Sequence, residues 1–372
     1  MSNKTDIQDR IAIYLPSLRG GGAERVMVTL ANGFSERGYS VDLVLASAEG
    51  PYLERVDDSV RIVDLKAGRV LHSLPGLIRY LRQERPSAML SALTHANVVA
   101  IMARGCASVS TRLVISERST PSQAAARSTS WVQKAMYGLM RRLYPKADGI
   151  VAVSRGVAHD LARFAGLPPD SIQVIYNPFD IKHIQELSKQ PLDHPWLASG
   201  QPPVVLGVGR LTEAKDFPTL IKAFARLRAQ RPARLMILGE GKLRGELEVL
   251  AHSLGLTDDD IAMPGFVANP YAYYSRCGVF VLSSKWEGLP GVLIEAMACG
   301  TPVVATDCPS GPDEILEGGR WGELVAVGDE DALAQSMIKT LDKGMDDMFL
   351  RADEFDAKIS INAYLDALLK CG

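Results

Sequence analysis

No run of eighteen or more apolar residues occurs in the 372-residue chain, so no helix is expected to cross a membrane. The stretch from Met1 to Arg10 is polar and has none of the apolar core that a secretory signal needs. Cysteine is scarce. Cys106, Cys277, Cys299, Cys308 and Cys371 are odd in number, scattered, and form no C-x-x-C. That argues against a disulfide framework or structural zinc and for a reducing cytoplasm. No aromatic platform or recognised motif accompanies the basic residues, so nucleic acid is not an expected partner. With 47% hydrophobic residues the chain is too apolar for disorder as its main state. Its length suggests two domains, since single cores stop growing near ~250–300 residues.

The net charge of −2 conceals an asymmetry. Residues 1–178 hold 22 Lys and Arg against 15 Asp and Glu, and the remainder holds 19 against 28. Between Lys66 and Asp148 there are 13 basic residues and three acids, Glu84, Glu117 and Asp148. Such a segment suits an anionic partner, or is simply a solvated basic face.

Apolar runs alternate with amphipathic stretches along the whole chain. Ile11–Leu15, Val41–Leu45, Ala88–Leu93, Arg112–Ser116 and Gly149–Val153 read as strands, with Val174–Ile175 as a short further one. A second series follows: Val204–Val208, Arg234–Leu238, Ile261–Met263, Val279–Ser283, Pro302–Ala305 and Gly322–Val325. Helices are expected at Asp216–Gln230, Arg244–Leu254 and Pro290–Cys299. This alternation predicts an α/β protein of two doubly wound parallel sheets covered by helices. The halves join near residues 178–200, with Leu187–Pro203 as surface connection. Ligand is expected in a cleft at the carboxyl ends of the strands.

The most informative block runs from Ser283 through Lys285, Trp286, Glu287, Gly288, Leu289, Pro290, Gly291 and Val292 to Glu295. Pro290 at a helix start costs no hydrogen bond, because first-turn amides are unpaired there. The amides of Gly291 and Val292 then offer an anion site suited to phosphate. Glu287 and Glu295, eight residues apart, place one carboxylate in the loop and one in the helix. Each suits a vicinal diol, because a carboxylate accepts two hydroxyl hydrogen bonds. The bland alternative is a local cap and a solvated loop acid. Gly209, Arg210 and Lys215 follow the strand Val204–Val208, and two fixed cations there can neutralise a departing diphosphate. Two ordinary surface cations are the competing reading.

Together, Glu287-x7-Glu295, the Gly209-Arg210-Leu211…Lys215-Asp216 loop and Cys299-Gly300-Thr301-Pro302-Val303-Val304 resemble the bacterial family-4 retaining glycosyltransferases. Gly20-Gly21-Gly22-Ala23-Glu24-Arg25 and Pro309-Ser310-Gly311-Pro312 extend the resemblance over almost the whole chain. It implies the GT-B architecture, two Rossmann-like domains. Residues 1–178 would be the acceptor-binding domain, with a C-terminal helix of about 353–372 packing back on it. Residues 179–352 would bind the donor. The resemblance assigns Arg210 and Lys215 to the donor diphosphate, Glu295 to the ribose and Glu287 to the transferred sugar. It gives the backbone of Leu289 to Val292 to phosphate or sugar hydroxyls. Glu240 and Val267 would flank the base, and His95, after the strand Ala88–Leu93, would lie near the donor sugar. A packed histidine is the alternative there. Gly21 and Gly22 let backbone approach a ligand closely. Ser116-Glu117-Arg118-Ser119 also ends a strand, and Glu117 and Arg118 there line the acceptor side or form a local ion pair on a loop.

Neither glycine cluster fits a dinucleotide fingerprint, since Arg25 and Thr212 stand where the third glycine belongs. Asp258-Asp259-Asp260 contains a D-x-D but reads as a solvated turn, so no metal or other cofactor is expected. From Trp131 to Tyr144 the residues Trp131, Val132, Ala135, Met136, Leu139, Met140 and Leu143 recur at helical spacing, with Arg127, Lys134, Arg141, Arg142 and Lys146 around them. That stripe is either core or a helix lying on an anionic bilayer. The expectation is therefore a retaining, metal-independent transferase working from a nucleotide-sugar to a lipid-linked envelope glycan. It would sit in the cytoplasm at the inner face of the membrane. A nucleotide-sugar epimerase on the same architecture is the alternative.

Overall fold

A computed structural model describes residues 9–19, 21–128, 131–343 and 347–369, and only the backbone of residues 131–133. Gly20, Cys371 and the side chains of Trp131 and Val132 lie outside the described residues. The chain divides into two compact units, Met1–Pro178 with Ala357–Gly372, and Phe179–Asp356.

Seven parallel strands form the sheet of the N-terminal unit: β1 (Arg10–Leu15), β2 (Ser40–Leu45), β3 (Arg61–Asp64), β4 (Ala88–Ala92), β5 (Arg112–Glu117), β6 (Gly149–Ala152) and β7 (Ile172–Val174). Their order is β3-β2-β1-β4-β5-β6-β7. Helices on both faces bury β1, β2, β4 and β5 almost completely, which is why these strands are continuous apolar runs. The sequence gives no such signal for β3, whose residues are mostly exposed. It forms because Arg61 donates to the buried Asp42 of β2 at 2.6 and 2.8 Å, an acid that also accepts from Tyr80 at 2.6 Å.

Helices Leu74–Glu84, Thr94–Ala107, Trp131–Leu143 and Arg155–Ala165 pack side by side on this sheet. Another cluster buries the helix Gly22–Glu36 against the sheet together with the last helix, Ala357–Leu369. A Cβ at Gly33 would strike the Ile361 side chain, so the glycine lets these two helices touch. The return begins at Ala357, not at about 353. Residues 353–356 stay with the C-terminal unit, where Phe355 is fully buried under the Arg351 guanidinium and its carbonyl accepts from Phe179 N at 3.2 Å.

The C-terminal unit holds six parallel strands: β8 (Val204–Val208), β9 (Arg234–Leu238), β10 (Ile261–Gly265), β11 (Val279–Leu282), β12 (Val303–Thr306) and β13 (Glu323–Val325). Their order is β10-β9-β8-β11-β12-β13. The order of winding therefore reverses between β8 and β11, the point where an open α/β sheet leaves room for a ligand beyond its carboxyl edge.

Replacing the buried Ile361 with Ala should destabilise the N-terminal unit by about 2–5 kcal/mol, the usual cost of such a cavity. Urea unfolding followed by hydrogen exchange of the Gly22–Glu36 helix measures this, and an unchanged midpoint would show that the last helix does not support the first.

Candidate active site

The loops after β8 and β11 lie side by side at the switch point and are laced together. Lys285 N donates to Ala214 O at 2.8 Å, and Ser283 Oγ donates to Lys215 O at 2.7 Å. Two ion pairs cross the same gap in opposite senses. Lys215 Nζ meets Glu287 Oε1 at 2.5 Å, and Lys285 Nζ meets Asp216 Oδ1 at 3.2 Å. Ser284 Oγ also donates to Glu287 Oε1, at 2.6 Å. Both Lys215 and Glu287 are largely withdrawn from water, which strengthens the attraction between them. Asp216 keeps a positive φ of 45°, held by Thr219 Oγ1 donating to its Oδ2 at 2.7 Å.

Glycine is required at two nearby positions. Gly239, at φ 138°, has the carbonyl of Gly209 where a side chain would go. The loops after β8 and β9 can therefore touch, with Leu211 N donating to Glu240 O at 2.9 Å. Gly311, at φ 102°, lies against the Pro290 ring and fixes the entry to the helix Gly291–Ala298. No side chain caps that helix, so its first amides are open to an anion.

Most of the residues singled out in the sequence thus share one edge of the C-terminal sheet. Gly209, Arg210 and Lys215 follow β8; Glu287, Gly288, Leu289 and Pro290 follow β11; Gly291 and Val292 open the helix. Arg210 is exposed. Glu295, in the second turn, is buried, and its charge is felt by Tyr274 and Cys299. Glu240 is held in both its oxygens by Arg244, at 2.6 and 3.0 Å, which lowers its pKa. Val267 is half-buried beside Phe266, which is 81% exposed. Asp260 accepts from Thr257 and pairs with Arg228 at 2.7 Å, so this part of the aspartate triplet closes a turn. Ser284, Lys285 and Asp216 stand inside the motifs read from the sequence but were given no role there, because only the lacing between loops gives them one.

The N-terminal unit carries a separate polar cluster. His95 lies in the first turn of Thr94–Ala107, half-buried, and burial lowers its pKa. Gly21 starts the helix Gly22–Glu36, with the Glu24 carboxylate folded against it and open space at Gly22. Glu117 ends β5, as expected of a strand end, and is 1% exposed, not part of a solvated loop. Thr94 Oγ1 donates to one of its oxygens at 2.9 Å and the Tyr144 hydroxyl to the other at 2.7 Å. That withdraws Glu117 from direct contact with an acceptor. Arg118 donates to Asn177 Oδ1 at 2.5 Å and to the Tyr364 hydroxyl at 3.3 Å. Thr94 and Tyr144 were missed as partners; Tyr144 reads in sequence merely as the end of an apolar stripe. That stripe is core at Met140 and Tyr144, while Lys134, Leu139 and Arg142 face outward.

Two family models match, glycosyltransferase family 4 over residues 20–183 and glycosyl transferases group 1 over residues 202–343. A relative in Campylobacter jejuni is 32% identical over 368 residues, 95% of either chain. It is named N-acetylgalactosamine-N,N'-diacetylbacillosaminyl-diphospho-undecaprenol 4-alpha-N-acetylgalactosaminyltransferase. The chain belongs to the family-4 glycosyltransferases of GT-B architecture. The lipopolysaccharide core glycosyltransferase LpsE of Rhizobium meliloti is 27% identical over 86% of this glycosyltransferase and 85% of its own length. Anabaena HepE, solved with UDP and glucose, shares the fold with a TM-score of 0.77 at 23% identity, over 97% of this chain and 99% of that one. Relatives of this glycosyltransferase act in polysaccharide and lipid-linked glycan synthesis, so the epimerase reading is not favoured.

Burial pushes the Glu117 carboxyl up to about 7, against the opposing effect of its hydrogen bonds. Between the ordinary value of 4.5 and about 7 the folded chain then binds a proton that the unfolded chain has released. Stability contributed by this group is present below that window and lost as pH rises through it. Thermal melts of wild type and Glu117→Gln near pH 5 and near pH 8 should therefore shift in the variant's favour at the higher pH. An equal gap at both would refute the raised pKa.

Proposed function

We propose that this glycosyltransferase moves a sugar from a nucleotide-diphosphate donor to a lipid-linked glycan with retention of anomeric configuration and without a metal. The observation that carries the reading is the ammonium of Lys215 fixed by Glu287 beside the uncapped helix start at Gly291. Diphosphate would take its place against Lys215, Arg210 and the first helix amides, with Glu295 toward the ribose and Glu287 freed for the sugar hydroxyls. The anomeric carbon–oxygen bond breaks with its electron pair going to the diphosphate. The acceptor oxygen attacks from the same face and passes its proton to a departing phosphate oxygen. Fixed cations and amides lower the barrier because they are already oriented where charge develops. We assign His95 to the transferred sugar, and Glu240 and Val267 to the edge of the base.

The name of the Campylobacter relative supports a diphospho-undecaprenol-linked saccharide as acceptor. Such a lipid lies in a bilayer, and exposed cations on the N-terminal unit support contact with one. Its outward positions include Arg79, Arg82, Arg85, Lys134 and Arg142, with Met102 and Leu139 among them. Cations near an anionic surface contribute about 1 kcal/mol each. We place the protein peripherally on the cytoplasmic leaflet on that ground.

A thermal-stabilisation screen with UDP, GDP and ADP, followed by turnover with UDP-N-acetylgalactosamine, tests the donor site. Lys215→Ala should lower kcat by about 100-fold or more, as loss of a transition-state charge partner does. Activity should persist in EDTA, and near-normal turnover of the variant or its abolition by chelation would refute the respective claim. Flotation with phosphatidylglycerol vesicles should carry the protein in low salt and lose it in high salt. The charge reversals Arg79→Glu and Arg142→Glu should weaken it, and equal flotation with phosphatidylcholine would contradict an electrostatic contact.

A further inference from the structure

Leu93 leaves β4 with φ 78°, a backbone conformation that a leucine holds only under constraint. Three hydrogen bonds supply the constraint. Asn97 N donates to Leu93 O at 2.9 Å, Asn97 Nδ2 donates to Ser116 O at 3.0 Å, and Thr94 Oγ1 donates to Glu117 Oε1 at 2.9 Å. Strand register explains the last contact. Ala92 of β4 pairs with Ser116 of β5, so Glu117 stands one residue further along β5, level with the turn. Its second oxygen accepts from Tyr144, beyond the helix Trp131–Leu143. A single buried carboxylate thus joins β5, the start of the Thr94–Ala107 helix and the residue that follows the Trp131–Leu143 helix. The residue it grips is the immediate neighbour of His95.

We infer that Glu117 is a positioning residue for sugar transfer, fixing the turn at Leu93 through Thr94 and so the setting of the His95 imidazole. Glu117 touches no substrate in this role. The inference rests on the reading of His95 as a group that serves the transferred sugar. It is specific to the Thr94 hydroxyl: a serine there keeps the bond, whereas the near-isosteric valine removes the donor and leaves the volume.

Two measurements on the full chain test it. In the first, the histidine ring Cε1–H resonances are followed by NMR, with His95 assigned through its loss in His95→Ala. Thr94→Val and Glu117→Gln should move the His95 resonance and raise its pKa toward the free value, while Thr94→Ser leaves it in place. No movement in Thr94→Val, or the same movement in Thr94→Ser, would overturn the inference. Thr94→Val serves as the mild variant should Glu117→Gln fold poorly. In the second, turnover of UDP-N-acetylgalactosamine with a diphospho-undecaprenol-linked saccharide is measured. Thr94→Val should lower kcat about 10-fold, the scale expected of a small misplacement, with the donor KM within about 2-fold and Thr94→Ser near normal. In a His95→Ala background Thr94→Val should cost nothing further, and a full additional loss there would overturn the route through His95. Near-normal turnover of His95→Ala alone would instead remove the functional reading of that histidine, with the clamp judged by the ring resonance.

Discussion

The gap between the loops after β8 and β11 is the constraint on which the C-terminal unit depends. The winding of the sheet reverses there, so the loops must diverge, and nothing in a regular βα repeat would hold them at a fixed distance. Here the two ion pairs and two backbone-directed bonds hold them. The pairs run in opposite senses, each loop giving one cation and one anion, so neither loop is left with a net charge from the lacing. A phosphate arriving at Lys215 would meet an ammonium whose geometry is already fixed. It would need to displace or share a single carboxylate, not order a mobile chain. That is the condition under which electrostatic stabilisation is effective.

Backbone conformation follows the same logic in both units. Leu93 after β4, Asp216 after β8 and Ser310 after β12 are non-glycine residues with positive φ at the carboxyl edges of the sheets. Arg85, Ser108 and Glu317 also have positive φ as ordinary left-handed helix ends, and Asp216 shares that left-handed conformation at the end of the short turn Glu213–Lys215. Strain of the first kind costs about 1–3 kcal/mol per residue and persists only where surrounding bonds over-determine it. At Leu93 and Asp216 those bonds are identifiable, a threonine hydroxyl to a buried carboxylate in each case.

Most of the fold was legible because buried parallel strands must be apolar throughout, and runs such as Ile11–Leu15 and Val279–Leu282 have few other readings. β3 was not legible. It is a four-residue edge strand with exposed side chains, fixed by Arg61 reaching Asp42 across 19 positions of sequence. The candidate site could be read from Glu287, Glu295, Arg210 and Lys215 through the family resemblance they carry, and the structure places them on the loops after β8 and β11 and on the helix that follows. The pairing of Lys285 with Asp216 could not, since each looks like a solvated charge. Glu117 misled for a related reason. Its strand end could be read, but a glutamate between Ser116 and Arg118 looks like a charge facing water, and only the approach of Thr94 and Tyr144 makes it interior.

Formal charge shows the same gap between sequence and structure, and its direction matters for the membrane reading. The basic segment has three acids, and each is engaged within the N-terminal unit. Glu84 pairs with Arg10 and Arg61, both outside the segment, Asp148 pairs with Arg104, and Glu117 is buried next to Arg118. Glu84 is thus neutralised by cations the segment does not itself supply. Arg79, Arg82, Arg85, Lys134 and Arg142 remain on the outward side of the helix layer. Charges that face water at a surface interact over about 8–10 Å at physiological salt, while the buried Glu117 and the paired acids add little to that field. The helix layer thus presents Arg79, Arg82, Arg85, Lys134 and Arg142 to its surroundings while the three acids of the segment are buried or paired.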